Sequence, residues 1–260
     1  MDRNSPTIIT LYGRSGTGKT TIAATGPKPM LFIDVKDKGD ESAKSPGIKR
    51  GDIGVIELEG FDDIYDIYDY VVDHKEKYNG GSVVLDHLTA LQEICKDKVK
   101  TDEGKSKMSQ QMFGFVASYM NEVISLFKNL SDYGITPIFL VQDRLESGEG
   151  EGEDQLTPEV GPGVMPSVSK ILCSASRVIG HTYIQEAIEK TSDLKVHRSI
   201  EYRLRLGPNP YYVTKVTKPK SYYCPPYLVN PTYEDIMKVI HGEYKETSPE
   251  KKKKKRIKKN

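Results

Sequence analysis

The sequence predicts an α/β fold in which helices cover both faces of a mainly parallel sheet. Its short apolar runs lack a regular alternation with polar residues, which is typical of parallel strands because both faces of such strands are buried. These runs alternate along the chain with segments of helical periodicity, the order that builds β-α-β units. A glycine-rich segment separates the first run from the first helix, and this setting indicates a phosphate-binding loop.

The strands are predicted from apolar runs that turn-forming residues separate. Gly26-Pro27 precedes the second run and Asn79-Gly80-Gly81 precedes the fourth, and such residues interrupt regular structure. The Gly207–Pro210 segment separates two β-type stretches and predicts a hairpin turn between them. Strands are therefore expected at 7–12, 30–35, 52–58, 82–86, 135–143, 199–206 and 211–218.

The helices are predicted from apolar residues at helical spacing. Ile64, Ile67 and Val71 have this spacing within the segment 61–78. A helix is expected to start at Thr20, directly after the glycine-rich segment, and another to follow Asp86 until a polar segment at 96–111. Further helices are expected at 112–130, 167–179 and 232–242.

The composition predicts a soluble, cytoplasmic protein with no membrane segment. The chain has 260 residues, of which 37% are hydrophobic, and no run approaches the ~18 apolar residues of a membrane span. The N-terminus lacks the basic and then apolar pattern of a signal peptide. Cys95, Cys173 and Cys224 form no C-x-x-C pair, which favours a reduced protein without structural zinc.

The glycine-rich segment fills every fixed position of the P-loop pattern G-x-x-x-x-G-K-[ST], as GRSGTGKT. The backbone N–H groups of such a loop surround phosphates at a helix N-terminus, so the pattern predicts a nucleoside triphosphate with Mg²⁺. Lys19 is expected to reach the β- and γ-phosphates, and the Thr20 hydroxyl to hold Mg²⁺. The predicted phosphate-binding residues are Gly13, Arg14, Ser15, Gly16, Thr17, Gly18, Lys19, Thr20 and Thr21. No guanine-reading N/T-K-x-D motif is present, which favours ATP.

Two polar residues end apolar strands further along the chain. Asp86 ends VVLD, and an acid at a strand's carboxyl end lies where open α/β sheets bind ligands. It is predicted to orient Mg²⁺, the Walker B role, with a helix N-cap as the alternative. Gln142 ends IFLVQ and could contact the γ-phosphate or its attacking water. His87, next to Asp86, could approach the phosphates, although a structural histidine is favoured.

In the order of these motifs the chain resembles the RecA-like recombinase ATPases over about residues 5–222. Five stretches carry this resemblance: GRSGTGKT is similar to the P-loop of that family, LFIDVK to its strand ending in F-I-D-A-E, VVLDHLTAL to its Walker B strand, IFLVQDR to its strand ending in N-Q-I-R, and K-V-T-K-P-K to its paired lysines. In length and motif order the chain is also similar to the short phage-encoded RecA-like ATPases that assist single-strand annealing.

The resemblance implies a DNA-stimulated ATPase that assembles as a homo-oligomer on single-stranded DNA, with ATP between subunits. Lys218 and Lys220 of the next subunit would complete the ATP site, and Gln142 would act as the switch glutamine. The glycine-rich stretch Ser147–Gly163 occupies the place of the family's DNA-binding loop. A single-strand-binding or replication protein is a further expected partner.

Two features depart from the family's pattern. Lys36 stands where the family has its catalytic glutamate, and a charged lysine cannot act as a base. The alternatives are Asp34, Asp37, Glu57 and Glu59, of which Asp34 is favoured. The segment 146–154 carries five negative charges that would repel a phosphate backbone, so DNA contact would fall to Lys170, Arg177, the region 218–220 and the basic tail.

That tail is the last ten residues, KKKKKRIKKN, with eight lysines or arginines and no acid. Because the whole chain has a formal net charge of +1, the rest of the chain carries −7. A run of like charges is usually disordered, and it predicts either salt-dependent contact with nucleic-acid phosphates or a solubilising extension. We expect an ATP-binding domain over 1–242 and a disordered tail over 243–260.

Two other classes of function are compatible with the sequence. A P-loop kinase would need an arginine-bearing lid, and the arginine-poor segment 146–163 argues against one. A nucleotide-dependent switch such as a replication loader, with little turnover, is favoured by Lys36 in place of a base.

Overall fold

The computed structural model describes residues 5–35, 52–146, 159–190 and 196–245, and a mainly parallel sheet forms their centre. The strands are β1 (Ile9–Tyr12), β2 (Met30–Asp34), β3 (Ile53–Glu57), β4 (Ser82–Asp86), β5 (Thr136–Val141), β6 (Asp143–Glu146), β7 (Glu159–Pro162), β8 (Val178–Lys190), β9 (Val196–Arg205), β10 (Lys215–Val216) and β11 (Tyr227–Val229). The sheet order is β3-β2-β4-β5-β1-β8-β9-β11, with β10 also paired to β8, while β6 and β7 pair separately.

The sheet is parallel on one side and antiparallel on the other. From β3 to β8 each neighbouring pair is parallel, whereas β8 with β9 and β9 with β11 are antiparallel. The predicted α/β fold with a mainly parallel sheet is therefore confirmed. Strand β5 lies between β1 and β4, so the ends of these three strands bring their following residues to one edge.

Helices cover both faces of the sheet. They are α1 (Lys19–Ala24), α2 (Asp63–Asp73), α3 (Lys75–Tyr78), α4 (Leu88–Asp102), α5 (Gln110–Asn129), α6 (Pro166–Ala175) and α7 (Tyr233–His241). Side chains cap the starts of α5 and α7: Ser109 Oγ accepts the backbone N–H of Met112 before α5, and Thr232 and Asp235 form a capping box at α7. Such caps satisfy N–H groups that have no partner within the helix.

The apolar side chains form one cluster on each face of the sheet. Helices α2, α4, α5 and α6 pack on one face against Leu31, Ile33, Leu85 and Phe139. Helices α1 and α7 pack on the other face against Phe32 and Leu140. The alternation along each strand places successive side chains in opposite clusters, which explains why these strands contain no regular polar positions.

Three sequence predictions need correction. The helix predicted at 167–179 ends at Ala175, because Val178 and Ile179 are buried strand residues paired with β1. The predicted hairpin between 199–206 and 211–218 is wrong: β9 pairs with β8, and only Lys215–Val216 forms a strand in the second stretch. Helix α4 also continues to Asp102, well into the polar segment at 96–111 where it was expected to end.

Some sequence predictions lie outside the described residues. These are Lys36 and Asp37, the acidic segment from residue 147 to 154, and the basic tail beyond Lys245. At the predicted boundary of the ATP-binding domain, Tyr244 packs against the apolar cluster that contains α7. None of the helices in the described part of the chain is both long and apolar enough to cross a membrane.

Candidate nucleotide-binding site

The predicted P-loop connects β1 to α1 at the carboxyl edge of the parallel strands. Gly18 precedes α1 with φ of 91°, a left-handed conformation that glycine adopts without the steric cost of a Cβ atom. Gly13 is held even more closely, since a Cβ atom there would overlap the carbonyl and hydroxyl oxygens of Thr182. The loop therefore needs these two glycines for its backbone path and for its contact with β8.

Lys19 is buried at the base of the loop. Its Nζ donates to the carbonyl oxygens of Gly13 and Arg14, at 2.7 and 2.8 Å. These contacts hold the ammonium group inside the curve of the loop, where the predicted phosphates would lie. The phosphate-binding role of Lys19 stays a prediction.

Thr20 and Asp86 lie together, although 66 residues separate them in the sequence. The Thr20 hydroxyl donates to Asp86 Oδ2 at 2.8 Å, which brings the two predicted Mg²⁺ ligands to one point. The peptide bond between Asp86 and His87 is cis. The N-cap alternative for Asp86 is wrong, because His87 caps α4 by accepting the backbone N–H of Ala90 at Nδ1, at 3.0 Å.

Asp34 is placed beside Asp86 by the register of the sheet. Asp34 pairs with Asp86 on one side and with Glu57 on the other, so three carboxylate residues end three neighbouring strands. Asp34 and Asp86 are buried, whereas Glu57 is exposed. Asp34 therefore lies on the strand next to Asp86, whereas Glu57 lies one strand further away. Of these two candidates for a catalytic base, Asp34 is the nearer to Asp86.

Gln142 follows β5 and meets His87 across the strand ends. Its backbone N–H donates to Thr89 Oγ1 at 3.1 Å, and its side-chain nitrogen Nε2 lies 3.3 Å from His87 Nε2. His87 thus contacts both the start of α4, through Nδ1, and the side-chain nitrogen of Gln142, through Nε2.

Sequence reasoning missed the contribution of β8 and β9 to this site. Thr182 Oγ1 lies 2.6 Å from Thr17 Oγ1 and 3.2 Å from the carbonyl oxygen of Tyr12. From β9, the ring of Tyr202 packs against Gly18. A threonine and a tyrosine in β-type stretches gave no motif by which these contacts could be predicted.

His181 is also buried behind the P-loop, on β8 beside Tyr12. Its ring lies 5.0 Å from that of Tyr12 and 4.4 Å from that of Tyr212, centroid to centroid. Burial, with the positive charges of Arg205, Arg14 and Lys19, lowers the pKa of His181 to about 4. His181 is therefore neutral at neutral pH, and the sequence offered no signal for this.

This low pKa predicts a loss of stability in mild acid. Between the folded pKa of about 4 and the ordinary pKa of about 6.5, only the unfolded chain binds the proton, so stability falls as the pH falls. We expect His181 to remove about 2 kcal/mol of unfolding free energy between about pH 7 and about pH 5. Urea unfolding of the wild type and of His181→Gln measures this, and equal pH dependence in the two proteins would contradict it.

Lys218 and Lys220 lie far from the P-loop of their own chain. The preceding residues pair Lys215 with Ile179 and Val216 with Val178, at the amino end of β8 and so at the sheet edge opposite the loop. The Lys218 ammonium contacts the carbonyl oxygen of Tyr222, and the Lys215 ammonium caps α6 at Cys173 O, 2.9 Å away. Within one chain, these lysines do not join the candidate site.

The sheet order, the P-loop before α1 and the adjacent Thr20 and Asp86 define a P-loop nucleotide-binding domain. The chain belongs to the AAA domain family (AAA_24) of P-loop ATPases, whose model matches residues 5–215. The matched region contains the P-loop, Asp86, Gln142 and the β8–β9 hairpin. No curated protein matches the sequence.

Proposed function

We propose that this protein is a RecA-like, DNA-stimulated ATPase that acts on single-stranded DNA in recombination or strand annealing. The observation that carries the proposal is the contact of 2.8 Å between Thr20 and Asp86 beside the buried Lys19. A phosphate-binding lysine, a hydroxyl and a carboxylate converge there. This combination is the one that ATP hydrolysis by P-loop enzymes requires.

The residues at this point fit a Mg²⁺ ion bound with ATP. Thr20 and Asp86 offer oxygen atoms, the donors that Mg²⁺ prefers, and few protein ligands suffice because the ion also takes phosphate oxygens and water. Among the described residues no group of three or more His, Cys, Asp or Glu side chains is placed to hold a metal alone. When bound, the ion would neutralise charge on the β- and γ-phosphates.

The remaining residues divide the other tasks of hydrolysis. Lys19 would neutralise phosphate charge from the base of the loop. Asp34, in register with Asp86, would orient the attacking water and accept its proton. Gln142, whose side-chain nitrogen lies beside His87, would contact the γ-phosphate or its attacking water. Loss of the γ-phosphate would then change the contact of Gln142 with His87, which caps α4.

A homo-oligomer with ATP between subunits accounts for the placement of Lys218 and Lys220. The P-loop and the two lysines lie at opposite edges of the sheet. A head-to-tail contact brings opposite edges of two copies together. In that arrangement Lys218 and Lys220 of one subunit would contact the phosphates bound to the next.

The test is ATP hydrolysis by the full chain with and without single-stranded DNA. We expect DNA to raise the rate roughly 10-fold, within the usual range of coupling between two binding sites. If ATP binds but is not hydrolysed, with or without DNA, the protein is instead a switch or replication loader. The lack of turnover would then be explained by Lys36, which stands in place of a catalytic base. Phosphoryl transfer to nucleosides without DNA stimulation would assign a kinase.

A further inference from the structure

Strands β8 and β9 extend beyond the carboxyl ends of the parallel strands, beside the P-loop. β8 pairs with β1 only from Val178 to His181, whereas its pairing with β9 continues to Lys190. Since β1 leads directly into the P-loop, the hairpin projects from the same edge as the candidate nucleotide site. Paired residues of an antiparallel ladder share a face and alternate along the strand, so the hairpin has two distinct faces.

One face of this hairpin joins arginine and tyrosine side chains, and we call it the arginine–tyrosine face. It consists of Tyr183 on β8, Arg203 and Arg205 on β9, Tyr227 on β11, and Tyr212, which packs over the same strands. The Arg203 guanidinium carbon lies 4.4 Å from the ring centroid of Tyr227. That of Arg205 lies 4.7 Å from Tyr183 and 4.3 Å from Tyr212.

The two arginines of this face differ in how their charge is balanced. Arg203 forms an ion pair with Glu201 at 2.7 Å, so its charge is largely neutralised. Arg205 has no ion pair within the described residues, and its buried Nε has no hydrogen-bond partner there. The guanidinium is thus held in place by aromatic rings, and it keeps hydrogen-bond donors for an acceptor from another molecule.

A second buried group beside Arg205 is also without a hydrogen bond. His181 pairs with Arg205 in the ladder, is only 5% exposed, and its Nδ1 has no partner among the described residues. Buried polar atoms in folded proteins nearly always have a partner. Two adjacent exceptions, one of them on a cation, show that the described residues alone do not satisfy the polar groups of this face.

We propose that the arginine–tyrosine face binds single-stranded DNA, with Arg205 contacting a phosphate and the tyrosines stacking on bases. The proposal rests on the proposed function and names the surface by which the protein would hold its DNA. Single strands are bound by cations that follow the backbone together with aromatic rings that stack on bases. Tyr227 is 38% exposed, and Tyr211, next to Tyr212, is 54% exposed, so rings are accessible beside the arginine.

The face also lies where DNA binding could influence the nucleotide site. Thr182, between His181 and Tyr183 in the chain, contacts Thr17 of the P-loop at 2.6 Å. On the other side, Tyr212 forms a bridge with Val160 of β7, the strand that closes the glycine-rich stretch. A shift of β8 on DNA binding would therefore reach the P-loop through a direct hydrogen bond.

The test measures binding of a fluorescent oligothymidine by the full chain with ATP and Mg²⁺, using fluorescence anisotropy. We expect Arg205→Ala to weaken binding roughly 10-fold and to lower the salt dependence of log K by about 0.7, the value for one lost phosphate contact. Tyr227→Leu should weaken binding by roughly 5-fold or more without changing the salt dependence, because stacking carries no charge. Arg198→Ala is the matched control, since this arginine lies on the other face and is 72% exposed.

Retained ATP binding shows that each variant is folded, and the results separate the two proposals. The arginine–tyrosine face is supported if the wild type and Arg198→Ala bind the oligothymidine while Arg205→Ala and Tyr227→Leu bind it more weakly. Wild-type binding that neither variant weakens overturns this inference and leaves the proposed function standing. If the wild type binds no single-stranded DNA with ATP, both proposals fall.

Discussion

Replacing Lys19 by alanine is expected to lower kcat/KM for ATP hydrolysis by at least about 100-fold. The reason is that a buried, preoriented cation at the phosphates stabilises the transition state far more than an exposed one. Removal of a single such donor typically lowers the rate by about 100-fold or more. Lys19 is held in the loop by the Gly13 and Arg14 carbonyl oxygens, at 2.7 and 2.8 Å. Steady-state hydrolysis and ATP-binding titrations measure the effect.

Lys28→Ala provides the matched control for this variant. Lys28 also donates to a backbone carbonyl, that of Ala24 at 2.8 Å, but it does so at the other end of α1. Its replacement removes a lysine and a helix contact without touching the loop, and ATP hydrolysis should stay near the wild-type rate. Hydrolysis by Lys19→Ala at a rate similar to that of Lys28→Ala would contradict the assignment of the P-loop.

Asp86→Asn is expected to lower kcat by about 100-fold or more. ATP binding measured in the absence of Mg²⁺ should persist in this variant. The asparagine oxygen can still accept the Thr20 hydroxyl, which Asp86 accepts at 2.8 Å, so the local structure should persist. The variant lacks the negative charge that would hold the metal ion. Titration of hydrolysis against Mg²⁺ should show a much higher concentration for half-maximal activity.

Asp235→Asn separates this effect from a general loss of a carboxylate. Asp235 accepts hydrogen bonds from Thr232 at the start of α7, and the neighbouring Tyr233 contacts Thr25 beyond the end of α1. Its replacement should lower stability and leave the Mg²⁺ dependence unchanged. An unaltered Mg²⁺ titration in Asp86→Asn would show that the metal is held elsewhere.

Much of the nucleotide site could be predicted because local sequence determines it. The P-loop depends on neighbouring glycines that permit left-handed angles, as at Gly18, and on a strand and a helix that follow each other directly. Asp86 and Gln142 were predicted because the carboxyl ends of parallel strands meet at one edge. Their proximity to the loop therefore followed from the order of the elements alone.

The errors arose where pairing between distant strands decided the structure. Val178 and Ile179 have helical neighbours in sequence, but the sheet buries them against β1, and that burial overrides local propensity. The Gly207–Pro210 segment suggested a hairpin, yet β9 found its partner in β8. A turn signal states that the chain reverses, but it does not state which strands pair.

The sequence by itself determined the α/β class, the P-loop with Lys19 and Thr20, and the acid that ends β4, because each depends on short-range order. Only the tertiary structure placed Thr182 against Thr17, made His87 rather than Asp86 the helix cap, and joined His181, Arg205 and the tyrosines. These contacts link residues up to 165 positions apart. They exist because sheet register fixes which side chains share a face, and register depends on the packing of the whole domain.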